Sequence, residues 1–301
     1  MISIKFEYCY IFIMAKKPPN LLVTGGTGFI GSHFLNTILP YSSNVLAIRR
    51  KWKTPIINLR VEPNWITLDL NKLDLESLSG FDTLVHFAAH SVSYPFDTID
   101  NCIRYNLNHP LALFEKARKA GVERFIVAGS CFEYGSSCLR FNEIPTDAPL
   151  EPLCSYGASK ASFSIAIKQW ALEHKLNLEI LRIFHVYGEG ESPKRFWPSL
   201  RHAAENGLDF TMTRGEQIRE FLPVIKVAKA FALRASLPTS HGEIIVFNLS
   251  QKNPQRLKDF AQQEWLKYSS SSNKLIFSLP YRPREMMRCV PGPNLLDISS
   301  L

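Results

Sequence analysis

Nowhere does this sequence run through the roughly 18 uninterrupted apolar residues needed to span a bilayer, so no membrane partner is expected. The six cysteines (Cys9, Cys102, Cys131, Cys138, Cys154 and Cys289) include no Cys-x-x-Cys pair and meet no histidine cluster. Neither a disulfide framework nor a metal site is therefore expected, and a reducing cytoplasm is the compartment that fits. The stretch from Met1 to Ile13 is rich in aromatic and β-branched residues, yet Lys5 and Glu7 interrupt it and no small-residue cleavage site follows, which argues against a secretory signal.

What is present is the balance of a globular protein: 46% hydrophobic and 21% charged residues over 301 positions, enough for one large α/β domain or a domain with a smaller appendage. The formal charge of +8 is compatible with a nucleic acid, an anionic membrane or an anionic small substrate. Its densest run, Arg49-Arg50-Lys51-Trp52-Lys53, reads as a solvated loop in preference to a nucleic-acid patch, and no nucleic-acid partner is expected. Nucleic-acid binding through that run would show as strongly salt-dependent affinity.

Apolar runs mark the strands. Leu21-Leu22-Val23, Val45 to Ile48, Trp65 to Leu68, Thr83 to Ala89, Phe125 to Ala128 and Glu179 to Leu181 alternate with helical patterns such as Ile30, Phe34, Leu35 and Ile38. Further helices are expected near Leu111 to Ala120, stopped by Gly121, and from Ser159 to His174. Strands alternating with helices predict a Rossmann-type, doubly wound parallel sheet over residues 15–182. Residues 183–301 carry more Pro, Arg and Trp, an isolated strand from Glu243 to Asn248 and a helix near Leu257 to Lys267, and read as a smaller mixed α/β substrate lobe. Residues 1–14 have no place in the pattern and are expected to be a loosely attached extension.

Gly26-Thr27-Gly28-Phe29-Ile30-Gly31 fits G-x-G-x-x-G between a strand and a helix, the context in which the motif binds a dinucleotide. The glycines permit a tight turn and close approach of a pyrophosphate, which then faces a helix N-terminus. NAD sites commonly place an acid at the end of the second strand, whereas here Ile48 leads into Arg49 and Arg50. A guanidinium there binds a 2′-phosphate, so NADP(H) is favoured over NAD(H). Asp69, with Leu70 beside it, follows the third strand and is assigned to the adenine amino group.

Tyr156 and Lys160 stand four residues apart at the start of a helix, on one face of it. Adjacent positive charge from the lysine and an oxidised nicotinamide is expected to lower the phenol pKa and make proton transfer feasible.

Thr24 to Gly31, His86-Phe87-Ala88-Ala89, Ser130 five residues before Gly135, and Tyr156 with Lys160 together resemble the extended short-chain dehydrogenase/reductases, in their nucleotide-sugar epimerase/dehydratase branch. The likeness continues through Leu181 to Gly188, Gly215 to Val224 and Pro280 to Glu285. Carried over by position, it implies that Ser130, Tyr156 and Lys160 are catalytic, with Tyr156 the acid/base, Lys160 holding the nicotinamide ribose and Ser130 bonding the sugar's reacting oxygen. It implies cofactor contacts at Gly25, Thr27, Gly28, Phe29, Ile30, Gly31, Phe87, Ala88 and Ala89, and substrate contacts at Ser91, Phe132, His185, Arg219 and Arg288, the two arginines clamping diphosphate or nucleoside. A nucleotide-sugar substrate and a homodimer are further implications, as is a chain that continues beyond the position of Leu301. If it does not continue, the second lobe is expected to keep an exposed apolar edge.

The chain also departs from that pattern. Dehydratases of the family carry Asp-Glu directly after the Ser/Thr, where this chain has Cys131-Phe132 and only then Glu133. Ordinary 4,6-dehydration is thus not expected. His185 replaces a usual Asn, and Glu220 a usual Asp. NADPH-linked reduction of a nucleotide-4-keto-6-deoxysugar is the leading expectation; a nucleotide-hexose 4-epimerase uses the same residues, and a non-catalytic dinucleotide-binding protein would keep the fold alone.

Overall fold

The computed structural model describes residues 19–42, 44–68, 76–269, 273–282, 285–293 and 295–301. The extension assigned to residues 1–14, and Asp69 and Leu70, lie outside the described residues.

Leu21-Leu22-Val23 opens strand β1 (Leu21–Thr24), which is buried at every position because both of its faces are covered. It is followed by α1 (Phe29–Ile38), β2 (Val45–Arg49), β3 (Asn64–Thr67), β4 (Thr83–His86), α2 (Ile99–Ile103), α3 (His109–Lys119), β5 (Arg124–Ser130), α4 (Ser155–His174) and β6 (Asn177–Ile183). A π-helical turn, Arg104–Asn108, joins α2 to α3. The later elements are β7 (His185–Tyr187), α5 (Phe196–Glu205), β8 (Phe210–Thr213), β9 (Ile218–Pro223), α6 (Val224–Ser236), β10 (Ile244–Ser250), β11 (Pro254–Arg256), α7 (Leu257–Tyr268), β12 (Leu275–Leu279), β13 (Arg288–Cys289) and β14 (Leu295–Asp297).

Eight strands form one sheet in the order β14-β10-β6-β5-β4-β1-β2-β3, and every neighbouring pair is parallel. The Rossmann-type, doubly wound α/β architecture read from the sequence is the one observed. Strand alternation sorts the core into two layers. Leu21, Val23, Val85 and Ile126 pack with Phe34 of α1 and Phe231 of α6 on one face, while Leu22, Leu84, Phe125 and Val127 pack with Phe114 of α3 and Phe163 of α4 on the other. Each such side chain taken fully out of water contributes about 1.5–3 kcal/mol.

The stretch from Glu243 to Asn248 is not the isolated strand expected. As β10 it lies between β6 and β14, so residues on both sides of position 182 build the large sheet. Its partners are distant in sequence, which local patterning does not register. A small sheet, β11-β9-β13 with β7 also on β9, and a β8-β12 pair lie beyond it. There Leu200, Met212, Ala261 and Trp265 form a separate cluster, and Phe221 stacks on Phe260 with ring centroids 4.0 Å apart.

Candidate active site

In a parallel sheet of this winding the ligand crevice lies beyond the carboxyl ends of the strands. Thr24, His86, Ser130 and Ile183 end β1, β4, β5 and β6, so the phosphate-loop candidates, Phe87 to Ala89, Ser130 and His185 share one edge.

The turn after β1 is built for backbone approach. Gly25 has φ +72°, and a Cβ there would collide with the Ala88 amide; a Cβ on Gly31 would collide with the Gly25 carbonyl. Gly28 caps α1 without a side-chain bond, and no acid occupies the first turn, so the helix N-terminus offers unshared N–H groups and positive dipole to an anion. This cradle fits a dinucleotide pyrophosphate. Thr27 accepts at its carbonyl from the Ile56 amide (3.1 Å), which ties the segment after β2 to the turn, and Phe29 and Ile30 are half-buried at the start of α1. Ala88 closes on Gly25, Ala89 is exposed, and Phe87 turns into the core between Phe34 and Phe231, with centroids 5.1 and 4.7 Å away.

Arg49 ends β2 with its guanidinium 4.9 Å from the Trp65 ring and its Nε donating to Thr67 Oγ1 (3.2 Å), while Arg50 is exposed. Trp52 beyond them is 88% exposed and carries Lys51 over its ring, a solvated loop as read from the sequence.

Tyr156 is the second residue of α4, whose N-cap, Cys154, accepts from the Gly157 amide through Sγ (3.3 Å). Lys160 lies one turn on, buried, and its Nζ donates to the Ala128 carbonyl of β5 (2.8 Å), close to Ser130. Burial holds the Lys160 pKa below its ordinary value, against the pull of Glu133. The sequence predicts a lowered phenol at Tyr156, but in the protein by itself burial pushes it well up, and Glu133 and Cys131 add to that; the Ser130 hydroxyl and Arg195 pull down. Desolvation of the buried phenol is the largest of these effects and dominates.

Among the residues expected to meet substrate, Ser91 adopts φ +60° and accepts from the Asp97 amide (2.7 Å), and Asp97 in turn accepts through its carbonyl from Ser155 Oγ (2.6 Å), tying this loop to the start of α4. Phe132 stands edge-on to Tyr156, with centroids 5.8 Å apart. His185 begins β7; burial, then Arg219 and Arg195, hold its pKa well below 6.5, so the ring is neutral at neutral pH, and its Nδ1 is buried without a protein partner. Arg219 donates to the Met286 carbonyl and, at 3.0 Å, to that of Ile218. Arg288 donates to the Asn142 carbonyl and is in register with Ile218, so the two arginines project from opposite faces of the small sheet and do not converge.

Four residues not anticipated from the sequence join the site. Phe96 lies parallel to Tyr156, Arg195 reaches both Tyr156 and His185 electrostatically, Arg282 stands 5.2 Å from the Tyr94 ring, and Glu133 is fully buried beneath Ser130. Arg282 lies within the Pro280 to Glu285 stretch of the resemblance, and Ser130-Cys131-Phe132-Glu133 spells a capping box, both usable signals; Phe96 and Arg195 follow from long-range packing.

The sequence profile of the NAD dependent epimerase/dehydratase family matches residues 21–249. The chain belongs to that family. It is 27% identical over 260 residues to a UDP-glucose 4-epimerase of Corynebacterium glutamicum, covering 80% of this chain and 78% of the relative. Among solved structures, a UDP-N-acetylglucosamine 4-epimerase of Methanobrevibacter ruminantium M1, in complex with UDP-N-acetylmuramic acid, superposes with TM-score 0.80 at 26% identity, covering 94% of this chain and 92% of that one. MoeE5 in complex with UDP-glucose and NAD gives TM-score 0.76 at 27% identity, covering 94% and 91%. This epimerase/dehydratase family member is thus an enzyme of the extended short-chain dehydrogenase/reductase type, and among its described residues no helix is long and apolar enough to cross a membrane.

Proposed function

We propose that the chain reduces a nucleotide-4-keto-6-deoxysugar with NADP(H), using Tyr156 as proton donor. The observation that carries this reading is the wall around Tyr156: Phe96 and Phe132 enclose the phenol, and the two positions after Ser130 hold a thiol and an aromatic ring. An apolar wall of this kind suits a deoxygenated carbon and holds the phenol in its protonated form.

A bound nicotinamide dinucleotide would supply the hydride. Gly25, Thr27, Gly28 and Gly31 would hold its pyrophosphate, Arg49 or Arg50 its 2′-phosphate, and Lys160 its nicotinamide ribose. Tyr156 protonates the oxygen at C4 while Ser130 donates a hydrogen bond to it. Arg195, Arg219 and Arg282 are the cations available to the substrate diphosphate.

A second reading, C4 epimerisation, is supported by the 4-epimerases among the relatives, and the NAD held by MoeE5 suits it. Incubating the purified protein with nucleotide sugars and their 4-keto derivatives, while following NADPH absorbance and product mass, separates the two. Net NADPH oxidation with a mass gain of two hydrogens supports reduction; tightly bound dinucleotide with interconversion of C4 epimers supports the second reading and ends the first.

A further inference from the structure

Glu133 has no exposed surface, yet its carboxylate is fully engaged. Oε1 accepts from the Ser130 amide (2.8 Å), and Oε2 accepts from Ser164 Oγ (2.8 Å) and from Arg182 Nε (2.9 Å). Ser130 returns the capping box by accepting from the Phe132 amide (3.2 Å). Ser164 is one turn beyond Lys160, which is one turn beyond Tyr156, so all three share a face of α4 and that face rests on Glu133. Arg182, from β6, also donates to the Tyr134 hydroxyl and the Thr146 carbonyl (2.7 Å each), and Tyr134 donates to Asn248 on β10 (2.7 Å).

We propose that Glu133 is a positioning residue: it sets Ser130 against the Tyr156–Lys160–Ser164 face of α4 and places beneath them a negative charge that opposes formation of the Tyr156 phenolate. The inference rests on the reading of Tyr156 as the acid, and it names a built-in bias toward donating a proton over abstracting one. The groups facing the phenol are Ser130 and Cys131 at the end of β5, Glu133 in the turn after it, Arg195 ahead of α5 and Lys160 on α4 itself. Those facing Glu133 are Arg182, Tyr134, Ser164, Lys160 and Tyr156. Arg182 pairs with this carboxylate through Oε2 and so offsets part of its effect on Tyr156.

The test uses the full chain labelled with ¹³Cζ-tyrosine, the Tyr156 resonance being assigned by its loss in Y156F. Glu133→Gln keeps the shape and removes the charge, and should move the Tyr156 titration down by about one pH unit or more. Since Arg182 is then buried without its counter-charge, E133Q/R182Q provides a second variant in which both charges of the pair are gone. A titration in folded Glu133→Gln that stays where the wild type has it overturns the proposal; in E133Q/R182Q, where the lost cation works against the lost carboxylate, the titration should move down by less than in E133Q, and one that does not move down overturns it as well. This readout needs no substrate: an unmoved titration in an active reductase refutes only the role of Glu133, and a shifted titration without reduction of any 4-keto sugar refutes only the reductase reading.

Discussion

The rings of Phe96 and Tyr156 lie 8° from parallel with centroids 6.1 Å apart, and Phe132 meets both edge-on. Such a cluster holds the Tyr156 ring by its faces and edge, and these contacts do not depend on the hydroxyl. Tyr156→Phe therefore keeps the packing and removes the acid. The kcat should fall at least ~10²-fold with NADPH affinity little changed, and Ser130→Ala should cost a similar factor. A Tyr156→Phe enzyme within a few-fold of wild type in steady-state assays would exclude the phenol as proton donor.

Arg49 is held on Trp65 and Thr67, and Arg50 is exposed beside it. Replacing both by Ala should weaken NADP binding by about one to a few kcal/mol, the scale of a lost charge-assisted pair, and NAD binding much less. Isothermal titration with the two dinucleotides reads this directly; equal losses would remove the 2′-phosphate assignment.

Gly31→Ala introduces a Cβ into the Gly25 carbonyl, and neither group is a flexible side chain that can give way. The variant should lose the rise in thermal midpoint that dinucleotide binding confers on the wild type, a rise that grows with ligand concentration. Undiminished thermal protection by the dinucleotide would show that the pyrophosphate sits elsewhere.

Glu191 is buried with one carboxylate oxygen lacking a protein partner, and burial raises its pKa from 4.5 to about 7 in spite of Arg195. The folded state therefore binds this proton more tightly than the unfolded chain. Stability from this group is present below pH 4.5 and is lost as pH rises toward 7, where the deficit is on the order of 1–3 kcal/mol. Glu191→Gln should flatten that slope and raise the denaturation midpoint at pH 8, as measured by urea unfolding across the range. An unchanged slope would count against a carboxyl group whose pKa burial has raised.

The sheet, the phosphate loop and the Tyr156–Lys160 pair were legible because each is imposed over a few residues. Doubly covered strands must be apolar throughout, a turn of positive φ in contact with backbone must be glycine, and residues one helical turn apart must share a face. Arg219 with Arg288 was a weaker inference, since two arginines of one lobe say nothing about strand faces, and the register turns them apart.

From the sequence by itself came the fold class, and the hydroxyl, phenol and ammonium of the candidate site. The tertiary structure alone decided that β10 and β14 complete the sheet, that Phe96 lies parallel to Tyr156, and that Glu133 and Arg182, 49 residues apart, meet under Ser130. It also decided the sign of the shift at Tyr156 in the protein by itself. Proximity in sequence implied a stabilised phenolate, but the cost of charging a phenol depends on how much water the surrounding fold removes, and that is settled by contacts between residues far apart along the chain.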